Sequence, residues 1–261
     1  MNKINIKDWE LLIYFPKINK ENDLFEFPKE LLDRFECANE DLKQTLSFWI
    51  GDTSKSNLEL NKNKIMENIS ESFEKSNEIL SGKGKISVIV LPTFDEFIVD
   101  SLGGSCGYVA YNDTIWLYIN PNASSQSIQE TICHEYHHIK RREIYTEEEL
   151  NEKITLKECF VTEGLAEHFK EKILGIKQAS YTNVLSEEEI KELLKNLKNK
   201  LDSRDSSLID GILFGNDQYK NSTGYTIGYY LVKNFLESNL DLNWEELTKL
   251  PADEFINNYF N

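Results

Sequence analysis

Apolar and polar positions change rhythm along this chain, and the changes divide it. Up to about residue 84 the pattern reads as mostly helical. In "NEDLKQTLSFWIG" Leu42, Leu46 and Trp49 recur at helical spacing, with Gly51 as a stop. In "LELNKNKIMENISESFEKSNEILSG" Ile65, Ile69, Phe73 and Leu80 do the same, ending at Gly82. The rhythm then switches. "KISVIVLP", 85–92, is rich in β-branched residues and closes at Pro92, which predicts a buried strand. "CGYVAY" and "TIWLYINP" predict two arms of a hairpin around Asn112-Asp113. Gly103, Gly104 and Gly107 crowd the entrance to the first arm, as a turn, a bulge or a place of close backbone approach.

Helical spacing returns after Pro121. Ser127 and Glu130 have the form of a capping box, so a helix is expected from about Ile128. Thr155 and Glu158 form a second box, opening a helix from about Leu156 to Leu174 with Gly175 as its stop. From 186 onward the pattern stays helical, with Ser186 as a cap and a broad apolar face in "TIGYYLVKNFLES". Three regions follow: a mostly helical 1–84, a core of sheet and two helices over 85–180, and a helical 181–261. The expected class is α+β, with a small, mostly antiparallel sheet packed on the helix that follows it.

Composition narrows the function. The formal net charge is −16, which repels nucleic-acid phosphates and anionic lipid surfaces, so neither partner is expected. "KRR" at 140–142 is too short to make a basic stripe, and "EEE" at 147–149 follows it. No run of about eighteen apolar residues is present, and the N-terminus lacks the form of a secretory signal, so a cytoplasmic location is expected. Cys37, Cys106, Cys133 and Cys159 are scattered without a CxxC pair and read as reduced, buried thiols. Cys133 adjoins the cluster described next, but its helical position aims it away from that cluster's face.

Three of the four histidines stand within "HEYHH", 134–138. A helix turns about 100° per residue, so His134 and His138 share a face one turn apart. Two imidazoles so placed converge on one cation, and zinc is the usual choice. Glu135 stands beside the first ligand, where a carboxylate reaches a water on the metal. Two histidines do not complete a catalytic zinc site; a third ligand is expected, leaving one position open. "TEGLAEHF" on the next helix supplies Glu163 and Glu167, four apart on one face. Glu163 is assigned as ligand and Glu167 as the group that fixes a ligating ring. Gly164 is expected to let the two helices approach. His137 and His168 are expected at the surface or behind the ligands.

"HEYHH" followed by "TEGLAEHF" resembles the gluzincin metallopeptidases, and with "GYTIGYYLV" it resembles the YjaZ-like family of predicted zinc-dependent proteases. The spacing of His138 from Glu163 exceeds that of familiar gluzincins, so the connection is expected to differ. The resemblance implies a zincin-like fold, one zinc per chain and hydrolysis of a peptide or protein substrate. It implies that a strand before the metal helix pairs with extended substrate, here at Gly107, Tyr108, Val109 and Ala110 or on the second arm. It also implies a tyrosine at the oxyanion, Tyr225 or Tyr229. A peptide- and zinc-binding module without turnover is the alternative, and a purely structural metal a third reading.

Overall fold

The computed structural model describes residues 2–19, 24–27, 29–34, 49–50, 60–110, 113–146 and 154–260. The "NEDLKQTLSFWIG" helix, Asn112, Cys37 and the 147–149 acidic run lie outside these, apart from Trp49 and Ile50. The elements are β1 (Asn2–Ile6), β2 (Trp9–Tyr14), β3 (Lys17–Asn19), β4 (Leu24–Glu26), α1 (Lys29–Arg34), α2 (Lys62–Ile79), β5 (Gly84–Pro92), α3 (Glu96–Ser101), β6 (Ser105–Ala110) and β7 (Thr114–Ile119). Then come α4 (Ser125–Arg142), α5 (Leu156–Leu174), α6 (Glu187–Leu197), α7 (Ser206–Phe214), α8 (Thr223–Ser238), α9 (Trp244–Lys249) and α10 (Ala252–Phe260). A short 3-10 turn, Ser180–Thr182, lies between α5 and α6. The fold is α+β. Its contacts divide it into two units, Met1–Lys75 with Ser81–Glu135, and Ser76–Leu80 with Tyr136–Asn261.

The first unit holds a five-stranded sheet in the order β1-β2-β5-β7-β6. Both outer pairs, β1 with β2 and β6 with β7, are antiparallel; the inner pairs, β2 with β5 and β5 with β7, are parallel. A mostly antiparallel sheet was expected. The parallel pairs arise because α2 connects β2 to β5, and α3 with β6 connects β5 to β7. The expectation of a mostly helical start is corrected for residues 2–19 and 24–26, where β1 and β2 join the main sheet and β3 pairs with β4. "WELLIY" misled because β2 is an inner strand: Leu11, Leu12, Ile13 and Tyr14 are all buried, so no alternation marks it. Downstream, the predicted strand and hairpin stand where expected, β6 and β7 running in register from Ser105 opposite Ile119 to Ala110 opposite Thr114.

The order of strands leaves β6 paired on one side only, to β7, among the described residues. Gly103 and Gly104 take φ of +72° and +89° and make the turn from α3 into β6, with Gly104 N–H donating to the Ile98 carbonyl. α4 begins three residues earlier than the capping box implied. Ser124 Oγ accepts from Ser127 N–H at 3.0 Å, while the Ser127 hydroxyl donates to the Leu102 carbonyl. Ser127 and Glu130 are therefore interior helix positions.

In the second unit α5 runs between the predicted boundaries. Thr155 and Glu158 close its capping box, and Gly175 ends it at φ +65°. Ser186 caps α6 with Glu189 in the same way. α5 meets α8 at Gly164 and Gly228: a Cβ on Gly164 would stand 2.2 Å from the Gly228 carbonyl oxygen. Gly164 thus admits α8, and the expected role of bringing the two metal-site helices together is corrected. Apolar clusters fill both sides of this contact, one with Phe160, Leu194, Ile212 and Ile227, the other with Val161, Leu165, Val232 and Phe255.

Candidate metal centre

α4 carries the histidine cluster on successive faces. Tyr136 is fully buried; its hydroxyl donates to the Leu80 carbonyl at 2.5 Å, and its ring stacks on Phe169 of α5. His137 is fully buried too, with its ring against Phe169 and Trp244 and its Nε2 3.3 Å from Thr248 Oγ1. Of the two positions expected of His137, at the surface or behind the ligands, the surface one is corrected: it is a core residue, about 100° around the helix from His138. One turn on, Arg141 is 1 % exposed, and its Nη1 donates to the carbonyls of Thr248 and Leu250 at the end of α9. The central cation of "KRR" is therefore used inside the fold. These contacts fix the azimuth of α4 and leave His134 and His138 on the remaining face.

His134, His138 and Glu163 each offer a ligand atom, and the three atoms lie within 4.8 Å of one another. His138 Nε2 stands 3.5 Å from Glu163 Oε2. Zinc–ligand bonds of about 2.0–2.2 Å in tetrahedral geometry put neighbouring donors about 3.3–3.6 Å apart. The spacing therefore suits two donors of one cation, and two imidazoles with one carboxylate suit zinc. His134 is buried; His138 and Glu163 keep partial exposure.

Glu135 is 4 % exposed and lies against β6. A Cβ on Gly107 would fall 2.5 Å from Glu135 Cγ and 2.7 Å from its Oε1. No side chain fits at 107 while Glu135 keeps its place. Cys106 is partly buried; burial, with the charges of Glu135 and Asp95, holds its thiol well above the usual range. Cys133 is wholly buried, and burial with the charge of Glu163 also raises the Cys159 thiol.

One turn beyond Glu163 on α5, the structure sets Lys170 and Tyr181, which sequence reasoning missed, against Glu167, which it had singled out. Glu167 is fully buried; its Oε1 accepts from the Tyr181 hydroxyl at 2.8 Å, and its Oε2 lies 2.8 Å from Lys170 Nζ. Lys170 is 2 % exposed and also donates to the Tyr181 oxygen. Glu167 with Lys170 at i+3 was visible as a pair; Tyr181 reaches it from the 3-10 turn, which no local pattern reveals. Tyr225 sets its ring edge-on to Tyr181 at 5.8 Å. Tyr229 is not brought to the candidate ligands: its hydroxyl donates to Glu171 at 3.1 Å, two turns beyond Glu163, about 12 Å along α5. Its ring stacks on His168 at 4.0 Å, and His168 Nε2 lies 3.1 Å from the Tyr229 carbonyl. Burial lowers the His168 pKa, and that bond to the carbonyl works against the shift.

No helix among the described residues is long and apolar enough to cross a membrane. The sequence is 30 % identical over 156 residues to "Uncharacterized protein YjaZ" of Bacillus subtilis (strain 168), an alignment covering 59 % of each chain. Residues 43–257 match the model of the family described as "Predicted Zn-dependent protease (DUF2268)", a span that holds both "HEYHH" and "TEGLAEHF", and the chain belongs to that family.

Proposed function

We propose that the chain is a zinc-dependent peptidase of the gluzincin type, with a zincin-like fold. His134, His138 and Glu163 would hold one zinc per chain. The observation that carries the reading is the pairing of this ligand set with Glu135, a buried carboxylate seated in a space that only glycine at 107 leaves open. A site that merely bound a metal would have no use for a carboxylate there.

Bound zinc supplies Lewis acidity, bringing the pKa of a water toward neutrality and polarising the carbonyl under attack. Glu135 accepts the proton of the attacking water as its oxygen bonds to the carbonyl carbon. It then delivers that proton to the nitrogen as the C–N bond breaks, giving a carboxylic acid and an amine, and the remaining water proton passes from the acid to the amine or to solvent to leave the carboxylate. The resemblance assigns β6, Gly107 to Ala110, as the strand beside which an extended substrate lies. Of the two candidate tyrosines, Tyr225 is retained for the developing oxyanion, because the Tyr229 hydroxyl is engaged by Glu171. Glu167 supports the site by charge and position, locked by Lys170 and Tyr181.

The test is Glu135→Ala, assayed on a mixed peptide library together with metal content. The expected outcome is unchanged zinc and a loss of turnover of about 10²–10⁴-fold. Equal cleavage by variant and parent removes the proposal.

A further inference from the structure

Tyr181 and Tyr225 meet ring against ring, and the two phenols have different duties. Tyr181, in the 3-10 turn Ser180–Thr182, is half-buried and bonded at its tip. A lysine ammonium carries protons and no acceptor, so Lys170 donates to the Tyr181 oxygen, and the single Tyr181 proton goes to Glu167 Oε1 at 2.8 Å. Glu167 is fully buried and Lys170 is 2 % exposed, so water does not compete for these bonds. Tyr181 therefore has no proton to offer a developing oxyanion. What it offers is a ring, set edge-on to the Tyr225 ring with centroids 5.8 Å apart and planes at 89°.

The backbone of the same turn is tied to the start of α8. Thr226, 2 % exposed, accepts at Oγ1 from Val184 N–H at 3.2 Å and donates to the Tyr181 carbonyl at 3.4 Å. These ties matter because α8 begins without a side-chain cap. Ser222, the residue before it, stands at φ +64°, and its hydroxyl donates to Asn221 Oδ1. Helix ends fray, and Tyr225 lies in that first turn. Its ring is partly buried on the apolar cluster that holds Phe160 and Ile227. Tyr181 joins Tyr225 to α5 through three bonds of different kinds. Its carbonyl meets the neighbour of Tyr225, its ring meets Tyr225 itself, and its hydroxyl meets Glu167, one turn beyond Glu163.

We infer that Tyr181 is a positioning residue for Tyr225: it holds that phenol in place relative to α5, the helix that carries Glu163. This rests on the proposed peptidase function and on Tyr225 as the group at the oxyanion. Tyr181 acts on turnover only through the Tyr225 hydroxyl.

The test is a double-mutant cycle on the zinc-loaded full chain. kcat and KM are measured on one cleaved peptide for the parent, Tyr181→Leu, Tyr225→Phe and the two together. Tyr225→Phe should lower kcat about 10²-fold, the cost of one oxyanion donor, with little change in KM. Tyr181→Leu should lower kcat about tenfold, the upper end of what an edge-to-face pair holds in place. In the Tyr225→Phe background the same substitution should change kcat by less than about twofold. Tyr181→Phe keeps the ring and drops the tie to Glu167. Its loss should be smaller than that of Tyr181→Leu and should likewise vanish in the Tyr225→Phe background, so it carries the test if Tyr181→Leu does not fold. A residue that merely supports the fold acts whether or not the Tyr225 hydroxyl is there. Parent-like kcat in both Tyr181 variants, or an equal fall in both backgrounds, therefore overturns the inference and leaves the peptidase standing. Parent-like kcat in Tyr225→Phe overturns it too, and takes the oxyanion role from Tyr225. Absence of Glu135-dependent cleavage in the parent overturns the inference and the peptidase reading together.

Discussion

Gly107 shows how one residue without a side chain fixes another's position. Its Cα approaches the Glu135 side chain so closely that a methyl group would overlap Cγ, Cδ and Oε1, each within 2.8 Å of the built Cβ. Glu135 is held inside the fold and has little room to give. In Gly107→Ala the carboxylate is expected to move by about an ångström. A shift of that size in a base costs about 10²-fold in kcat. The proposed zinc ligands lie on other positions, so bound zinc measured on the dialysed protein should stay at the parent's value. Normal turnover in Gly107→Ala would mean that Glu135 is not held by this contact. Glu167 illustrates the opposite case, a charge retained in the interior. With Lys170 and Tyr181 around it, its burial is compensated; alone it would carry a desolvation cost of several kcal/mol.

Among elements, the contact of α5 with α8 sets where Glu163 stands. Glycine at 164 and 228 lets the backbones touch: a Cβ at 228 would lie 2.1 Å from the Phe160 carbonyl oxygen. Replacing an interior helical glycine with alanine gains up to about 1 kcal/mol of helix propensity. Here the added methyl meets backbone, which cannot rotate away, and overpacking costs about 1–3 kcal/mol. Gly164→Ala should therefore be less stable than the parent in urea unfolding, despite the better propensity. It should also bind zinc more weakly, because Glu163 moves with α5. Increased stability would show that the helices separate without cost. The glycine was readable as a close-approach residue, but its partner was not, since α8 lies far along the sequence. The same limit explains the rest of the reading. Elements with their own caps or period, such as α5, α6 and β5, were legible from local chemistry. The grouping of His134, His138 and Glu163 was legible because the two histidines share a helix and Glu163 opens the EGLAE stretch of the next. β2 was not, because a strand between two others loses its alternation. His137 and Arg141 owe their burial, and Tyr181 its contact with Glu167, to groups that no local period announces.

At the scale of the whole molecule the question is what the metal contributes to the fold. The −16 net charge favours any bound cation, and three ligands from α4 and α5 would concentrate that benefit at one place. Both helices nevertheless have anchors that need no metal. α4 is tied through Tyr136 to Leu80, through His137 to Thr248 and through Arg141 to the end of α9. α5 is fixed by its capping box, its glycine contact with α8 and its buried apolar faces. A ligand at about a thousand times its dissociation constant stabilises a fold by about 4 kcal/mol. Structural zinc in a module that lacks a core supplies about 10–16 kcal/mol and cannot be removed without unfolding. The buried anchors put this chain in the former class. Chelation should abolish peptide cleavage and lower the melting temperature, while the far-UV circular dichroism at 25 °C keeps its helical form, and zinc added back should restore both activity and melting temperature. Collapse of the helical signal on chelation at 25 °C would assign the metal to the fold and take it away from catalysis.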